Sequence, residues 1–305
     1  MKQLIWIFAL IIIIFSGDRL VGSFLKKVVD ESQFRYSRLY NSSEEADILL
    51  LGNSRGLTFF QPEIERITGH STFNFSYNGM PMDLGKVLVQ DYLDHHKPPK
   101  VLIIDVTMCD RSRPELVRHF KTYMPYSQRL ETLIRQYNNN IGVAANLFHV
   151  YRYNSEVFQR SFYYRNRTDE DWLLDRVISQ KMLEKKEFSD LKMLMDTTMI
   201  DQLKQLVDYT KSKGVDVKLV ISPYLPQFAE AIKPYYLQPL KSYIETHVGL
   251  PLQDYSTALT EVSEFGDFQH PNKKGSIKYI GMLYKDGNFN PITPSEATSV
   301  GFISK

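Results

Sequence analysis

Ala46-Asp47-Ile48-Leu49-Leu50-Leu51-Gly52-Asn53-Ser54-Arg55-Gly56 is the stretch whose reading decides the fold. An apolar run ends at a glycine, and a serine follows two residues later in a glycine-flanked turn. A short run without polar alternation reads as a strand buried on both faces, the habit of parallel sheets. Downstream, residues 62–67 read as a helix stopped by Gly69, and Thr72-Phe73-Asn74-Phe75 as a second strand. Residues 84–95 carry apolar side chains at helical spacing, and Pro98-Pro99 closes that helix before a third strand, Val101-Leu102-Ile103-Ile104. The pattern resumes later with a helix over 200–212, a strand at 217–221, a helix near 235–246 and a fifth strand at 250–254. Strands alternating with helices predict an α/β protein, with a crevice beyond the carboxyl ends of the strands, where Ser54 falls.

Two regions break the alternation. Residues 111–199 are too long for a loop and hold aromatic and basic helical stretches such as Phe162-Tyr163-Tyr164-Arg165 and Asp171-Trp172-Leu173-Leu174, so they read as a helical insertion, a lid or partner surface. At the start, Leu4 to Phe15 is an unbroken apolar run behind Lys2. It fits a secretory signal, but Phe15-Ser16-Gly17 is a poor cleavage site, which favours an uncleaved signal anchor with the remainder exported. Arg19, Lys26 and Lys27 follow the run and oppose a simple positive-inside orientation. The expected organisation is an anchor or signal peptide over 1–20, a linker over 21–45, an α/β domain over 46–290 with the insertion at about 111–199, and a tail over 291–305.

The chain has 305 residues, 43% of them hydrophobic, enough for one substantial core. Its 37 basic and 35 acidic residues leave a net charge of +2, which argues against a nucleic-acid partner. A single cysteine, Cys109, excludes an internal disulfide framework and a cysteine-rich metal site. His95 and His96 are adjacent, so they face different sides of a helix, and no His-Glu-x-x-His arrangement exists. No metal or cofactor is expected.

The chemistry rests on two segments far apart. Ser54 supplies a hydroxyl, and Asp267-Phe268-Gln269-His270 places an acid three residues before an imidazole, on one side of a turn. A serine hydroxyl becomes a nucleophile when an imidazole takes its proton, and the imidazole needs a partner to hold its tautomer. Ser54 alone also reads as an ordinary helix cap. Arg55 reads either as a ligand for an anionic group or as half of a salt bridge, and Cys109 as a small buried hydrophobe.

On these residues the chain resembles the SGNH, or GDSL-like, hydrolase superfamily. The resemblance implies a three-layer α/β/α sandwich with a flavodoxin-like parallel sheet. Gly52-Asn53-Ser54-Arg55 is similar to the family's first block, with Asn53 in the place of the commoner aspartate, and makes Ser54 the implied nucleophile. Asn74-Phe75-Ser76-Tyr77-Asn78-Gly79 is similar to its second block and implies Gly79 as an oxyanion donor beside the Ser54 N–H. Asp267 and His270 are the implied triad partners. The family's third block has no counterpart, because Asp105-Val106-Thr107-Met108-Cys109-Asp110 carries no asparagine; Thr107 or Arg55 is the expected substitute. The resemblance extends to exported, membrane-anchored esterases and O-acetyltransferases of cell-envelope polysaccharides. It therefore implies an acylated glycan or polysaccharide as substrate, the membrane as a partner through the N-terminal helix, and a membrane-bound acyltransferase as a further partner. The alternative is a catalytically weak binding or assembly component of such a system.

Overall fold

The computed structural model describes residues 2–42, 45–168, 172–184, 188 and 193–291. The expected C-terminal tail lies outside them except for Pro291. The chain divides into two compact units, residues 45–112 with 170–305, and residues 1–44 with 113–169.

The first of these is built on five parallel strands: β1 (Ile48–Leu51), β2 (Thr72–Asn74), β3 (Val101–Asp105), β4 (Asp216–Ile221) and β5 (Leu252–Asp254). Their order is β2-β1-β3-β4-β5, the flavodoxin-like winding expected of an α/β/α sandwich. Ile48 pairs with Val101 and Leu50 with Ile103, so side chains of one parity form one face. Ile48, Leu50, Val101 and Ile103 pack there with Ile64 from the Gln61–Thr68 helix and with Tyr279, Ile280 and Leu283 from the Lys273–Lys285 helix. Helices Met82–His95, Thr197–Ser212 and Gln238–Val248 form the other layer, and Gly85 lets the first of them rest on Leu51. All four residues of β1 are fully buried, which is why the strand reads as an all-apolar run. The helix expected near 235–246 begins earlier: Pro226–Ile232 is helical and a π-turn over Lys233–Leu237 joins it to Gln238–Val248.

The second unit departs from the sequence expectation. The helix that begins at Lys2 does not end near residue 20 but runs unbroken to Asp30, and a second helix follows at Arg35–Asn41. Val28, Val29, Phe34, Tyr36 and Leu39 are buried, so residues 21–42 are a packed element and not a linker. Their partners come from the region read as one insertion. Tyr36 meets Phe120 edge-on at 4.9 Å, and Ser37 and Ser161 hydrogen-bond the Tyr123 hydroxyl at 2.8 and 2.6 Å. The insertion is thus divided, residues 113–168 belonging with the N-terminal segment and residues from 172 onward with the sheet.

Candidate active site

The turn after β1 is shaped by its own side chains. Asn53 Oδ1 accepts the Arg55 N–H at 2.9 Å, and the Gly56 N–H returns to the Asn53 carbonyl at 3.1 Å. Asn53 thereby closes an Asx turn that leaves Ser54 half-buried at the sheet's carboxyl edge. A side chain at Gly56 would meet Ser76 Oγ at 2.2 Å, so only glycine lets the β1 and β2 turns approach.

The structure brings the three implied catalytic groups together. Ser54 Oγ lies 2.9 Å from His270 Nε2, and His270 Nδ1 lies 2.9 and 3.0 Å from the two Asp267 carboxylate oxygens. With Nδ1–H donating to the carboxylate, Nε2 is left free to accept the serine proton, the tautomer a general base requires. Asp267 Oδ1 also accepts the N–H groups of Gln269 and His270 at 2.8 and 2.9 Å. Burial, the largest single influence, pushes the Asp267 carboxyl up, but the hydrogen bond and charge of His270 and the two N–H groups outweigh it, so its pKa lies below the ordinary carboxylate value. The loop is held from below by Asn272, which caps the Lys273–Lys285 helix at Gly275 N and donates to the Ser263 carbonyl at 2.9 Å.

Arg55 does not face substrate. Its guanidinium is 2% exposed, donates to the main-chain carbonyls of Gln269, Ser222 and Pro223, and stacks 3.4 Å over the Tyr224 ring. Its Nε is 4.0 Å from Asp105 Oδ2, too far for a hydrogen bond but close enough for charge. The arginine is a tie between the Ser54 turn, the end of β4 and the loop carrying Asp267 and His270. Thr107 is also spoken for: its hydroxyl and N–H both donate to Asp105 Oδ1, at 2.5 and 3.0 Å, which caps the turn after β3. Neither residue fills the gap left by the third block. Cys109 is buried, and burial pushes its thiol well up, with Asp110, Asp105 and Asp196 adding to the effect, so it stays a neutral thiol.

A cavity of about 180 Å³ opens over the serine. Leu57, Trp172, Leu173, Leu174 and Pro271 form its apolar wall, and Ser54, His270, Asp267 and Asn78 face it. Asn78, not Gly79, is the second-block residue in the wall. It sits in a turn closed by the Met80 N–H on the Tyr77 carbonyl at 3.0 Å, with Gly79 at φ +69°, a conformation that favours glycine. The Tyr77 N–H reaches the Gly52 carbonyl at 3.4 Å and fixes this turn beside the nucleophile turn. The Asn78 amide has no hydrogen-bond partner among the described residues. Asn78 stands one residue before the glycine that the resemblance implies, and an amide before a turn glycine is the signal the sequence carries for it. Trp172, in the segment expected to be a lid or partner surface, lines the same cavity as Ser54. Among the described residues no three His, Cys, Asp or Glu gather as a metal site.

Fold and site together give a 2-1-3-4-5 parallel sheet with a serine–histidine–aspartate chain at its carboxyl edge, the arrangement that the sequence resemblance implies. No protein-family model matches the chain, and no curated protein does. Several solved structures are similar to it, among them the following. A Bacteroides fragilis protein named as a candidate acylhydrolase shares 12% identity over 83% of this chain and 96% of its own, with a TM-score of 0.39. A Streptococcus pneumonia protein named as a candidate platelet activating factor shares 10% over 89% and 98%, with a TM-score of 0.43. A GDSL-like lipase of Bacteroides thetaiotaomicron shares 12% over 79% and 88%, with a TM-score of 0.35.

Proposed function

We propose that the protein is a serine esterase or O-acyltransferase that handles a short acyl ester of an extracytoplasmic glycan. The observation that carries this reading is the continuous Ser54–His270–Asp267 hydrogen-bonded chain opening on a small cavity. His270 Nε2 takes the Ser54 proton as Oγ attacks the ester carbonyl, and Asp267 stabilises the imidazolium. The tetrahedral oxyanion is held by the Ser54 and Gly79 N–H groups, and the free Asn78 amide replaces the third-block asparagine. Collapse expels the alcohol, which takes the proton back from His270. Water or a sugar hydroxyl then attacks the acyl-enzyme by the reverse path.

Cavity size favours a short acyl group. Pockets for drug-sized ligands run to roughly 300–1,000 Å³, and about 180 Å³ suits an acetyl-sized group better than a lipid chain. Trp172, with its ring centroid 5.6 Å from that of Tyr77, offers an aromatic surface of the kind that packs on sugar rings. The N-terminal helix is long and apolar enough to cross a membrane. An envelope glycan as substrate and a membrane-bound acyl donor as partner fit a site anchored in this way. The competing reading, a catalytically weak binding component, rests on the missing third block, and Asn78 weakens it.

The test is labelling of the full chain by a serine-directed fluorophosphonate and turnover of a chromogenic acetyl ester. Both are expected in the wild type and lost in Ser54→Ala. A wild-type chain that neither labels nor turns over the ester, yet binds acetylated glycan equally well with and without the Ser54 hydroxyl, is the result expected of the binding component.

A further inference from the structure

The apolar run Leu4 to Phe15 is too short for the membrane it is meant to cross. Twelve residues of helix span about 18 Å against a hydrocarbon core of about 30 Å. The apolar surface does not end at Phe15, however. Leu20, Val21 and Phe24 are exposed on the same unbroken helix, and the distance from Leu4 to Phe24 is about 31 Å. A bilayer matched to that length has to take in Asp18 and Arg19, and a bare charge well inside a bilayer costs about 2.5–3.5 kcal/mol even on the most lenient scale.

These two charges are not bare. Asp18 and Arg19 pair at 2.6 Å. Asp18 also accepts the His149 and Val150 N–H groups at 2.8 and 3.0 Å, and Arg19 donates to the Leu147 carbonyl at 3.1 Å and lies 4.0 Å over the Phe15 ring. At Gly22 an added Cβ would fall 2.5 Å from His149 Cβ, so helix and turn touch at backbone distance. Residues 147–150 therefore sit at the depth of Asp18 to Gly22, within the apolar length of the helix. The surface of that corner is apolar as well: Val143 and Leu147, one turn apart on the Asn139–Leu147 helix, are 46% and 51% exposed, and Phe148 is 47% exposed.

We propose that this corner, Val143, Leu147 and Phe148, is embedded in the headgroup and upper acyl region of the bilayer that the N-terminal helix enters. The occupant of the patch is phospholipid. The proposal rests on reading the Lys2–Asp30 helix as a membrane span. It makes the N-terminal unit a partly inserted base instead of a domain on a tether. Exposed apolar residues elsewhere in the unit do not share the placement. Phe162 neighbours Ser161, whose carbonyl accepts from Ser32 Oγ at 2.6 Å, and Ser32 lies about 20 Å further along the chain from Asp18.

The experiment places single cysteines in the full chain, whose own Cys109 is buried, and labels each with an environment-sensitive fluorophore. The variants are Leu147→Cys and Phe148→Cys, with Ile11→Cys and Phe162→Cys as controls. They are reconstituted in vesicles of phosphatidylethanolamine and phosphatidylglycerol, with and without nitroxide lipids quenching near the headgroups or deeper in the acyl chains. Labels at Leu147 and Phe148 are expected to be quenched several-fold more than the Phe162 label by the shallow nitroxide, and the Ile11 label by the deep one. Quenching at Ile11 with Leu147 and Phe148 behaving like Phe162 overturns the embedded corner and leaves the span intact. No quenching at Ile11 overturns the span and the proposal with it. Labels at 147 and 148 that are shielded from aqueous iodide but untouched by nitroxide lipid show a protein or a second copy on the patch, which also overturns it.

Discussion

Replacing Arg55 with lysine separates a structural tie from a substrate ligand. Lysine keeps the charge facing Asp105, so the large penalty of an unpaired buried carboxylate is avoided. It loses the planar fork, and a single ammonium cannot serve the Gln269 carbonyl and the Ser222–Pro223 pair together. One or two buried carbonyls are left without a donor, at about 1–3 kcal/mol each, and the stacked contact on Tyr224 adds roughly 0.5–2 kcal/mol. Relaxation recovers part of this, so the expected loss is about 2–4 kcal/mol. In a unit of this size that lowers the unfolding midpoint by roughly 5–15 °C. Gln269 lies between Asp267 and His270, so slack in its carbonyl reaches the base directly. The expected kinetic signature on an acetyl ester is a fall in kcat with KM nearly constant. Thermal unfolding by circular dichroism and steady-state kinetics on the same sample decide it. An unchanged midpoint with a raised KM would refute the tie and favour the anionic-ligand reading, one of the two that the sequence leaves open for Arg55.

Three further outcomes are expected. Asn78→Ala should lower kcat by about 100- to 1,000-fold with little change in KM or melting, the signature of a lost oxyanion donor; near-wild-type kcat would remove Asn78 from the mechanism. Asp267→Asn should cost most stability at neutral pH. The folded carboxyl titrates below its unfolded value, so its contribution is complete above the ordinary carboxylate range near about 3.9 and is lost as pH falls through the lowered folded value. Melting curves of mutant and wild type should therefore converge in acid, and a constant gap across that range contradicts the assignment. Gly275→Ala places a Cβ 2.1 Å from the Glu264 carbonyl oxygen, a clash with backbone that no rotamer relieves. It should destabilise by about 1–3 kcal/mol or more and depress fluorophosphonate labelling through the adjoining His270 loop, and full labelling at wild-type stability would show that loop to be looser than the hydrogen bonds indicate.

The sheet was legible because burial on both faces leaves its strands nothing to alternate with. Ile48 to Leu51 and Val101 to Ile104 announce themselves as apolar runs, and glycine or proline stops each following helix. Ser54, Asp267 and His270 were legible for a different reason: their positions depend on turns whose chemistry is local, an Asx closure at Asn53 and a carboxylate gathering two N–H groups at Asp267. Thr107 was misread although its fate is equally local, since an aspartate two residues before a threonine is an ordinary cap. The N-terminal unit was hidden because its contacts join segments more than eighty residues apart through aromatic edges and hydroxyls, as at Tyr36–Phe120 and Ser37–Tyr123, with no period for the sequence to display.

Arg55 shows where local reading must fail. The sequence around it leaves Arg55 open between an anionic ligand and a salt bridge, with nothing local to name the groups it meets. Its actual partners, Ser222, Pro223 and Gln269, are 167, 168 and 214 residues away, and only the 2-1-3-4-5 winding brings the end of β4 and the triad loop to the end of β1. Once there, its two terminal nitrogens are committed to three fixed carbonyls, and Nε faces the Asp105 carboxylate, so the planar group is occupied by the fold and not by a ligand that comes and goes. The arginine is a tie within the site. It fixes the distance between the nucleophile turn and the base loop. In the proposed mechanism the oxyanion draws its donor from the β2 turn, where Asn78 lines the cavity with an amide that has no partner among the described residues. On that mechanism the β2 turn stands in for the third block as the source of the donor, while the alignment of Ser54 with His270 is carried by the sheet and the Arg55 tie.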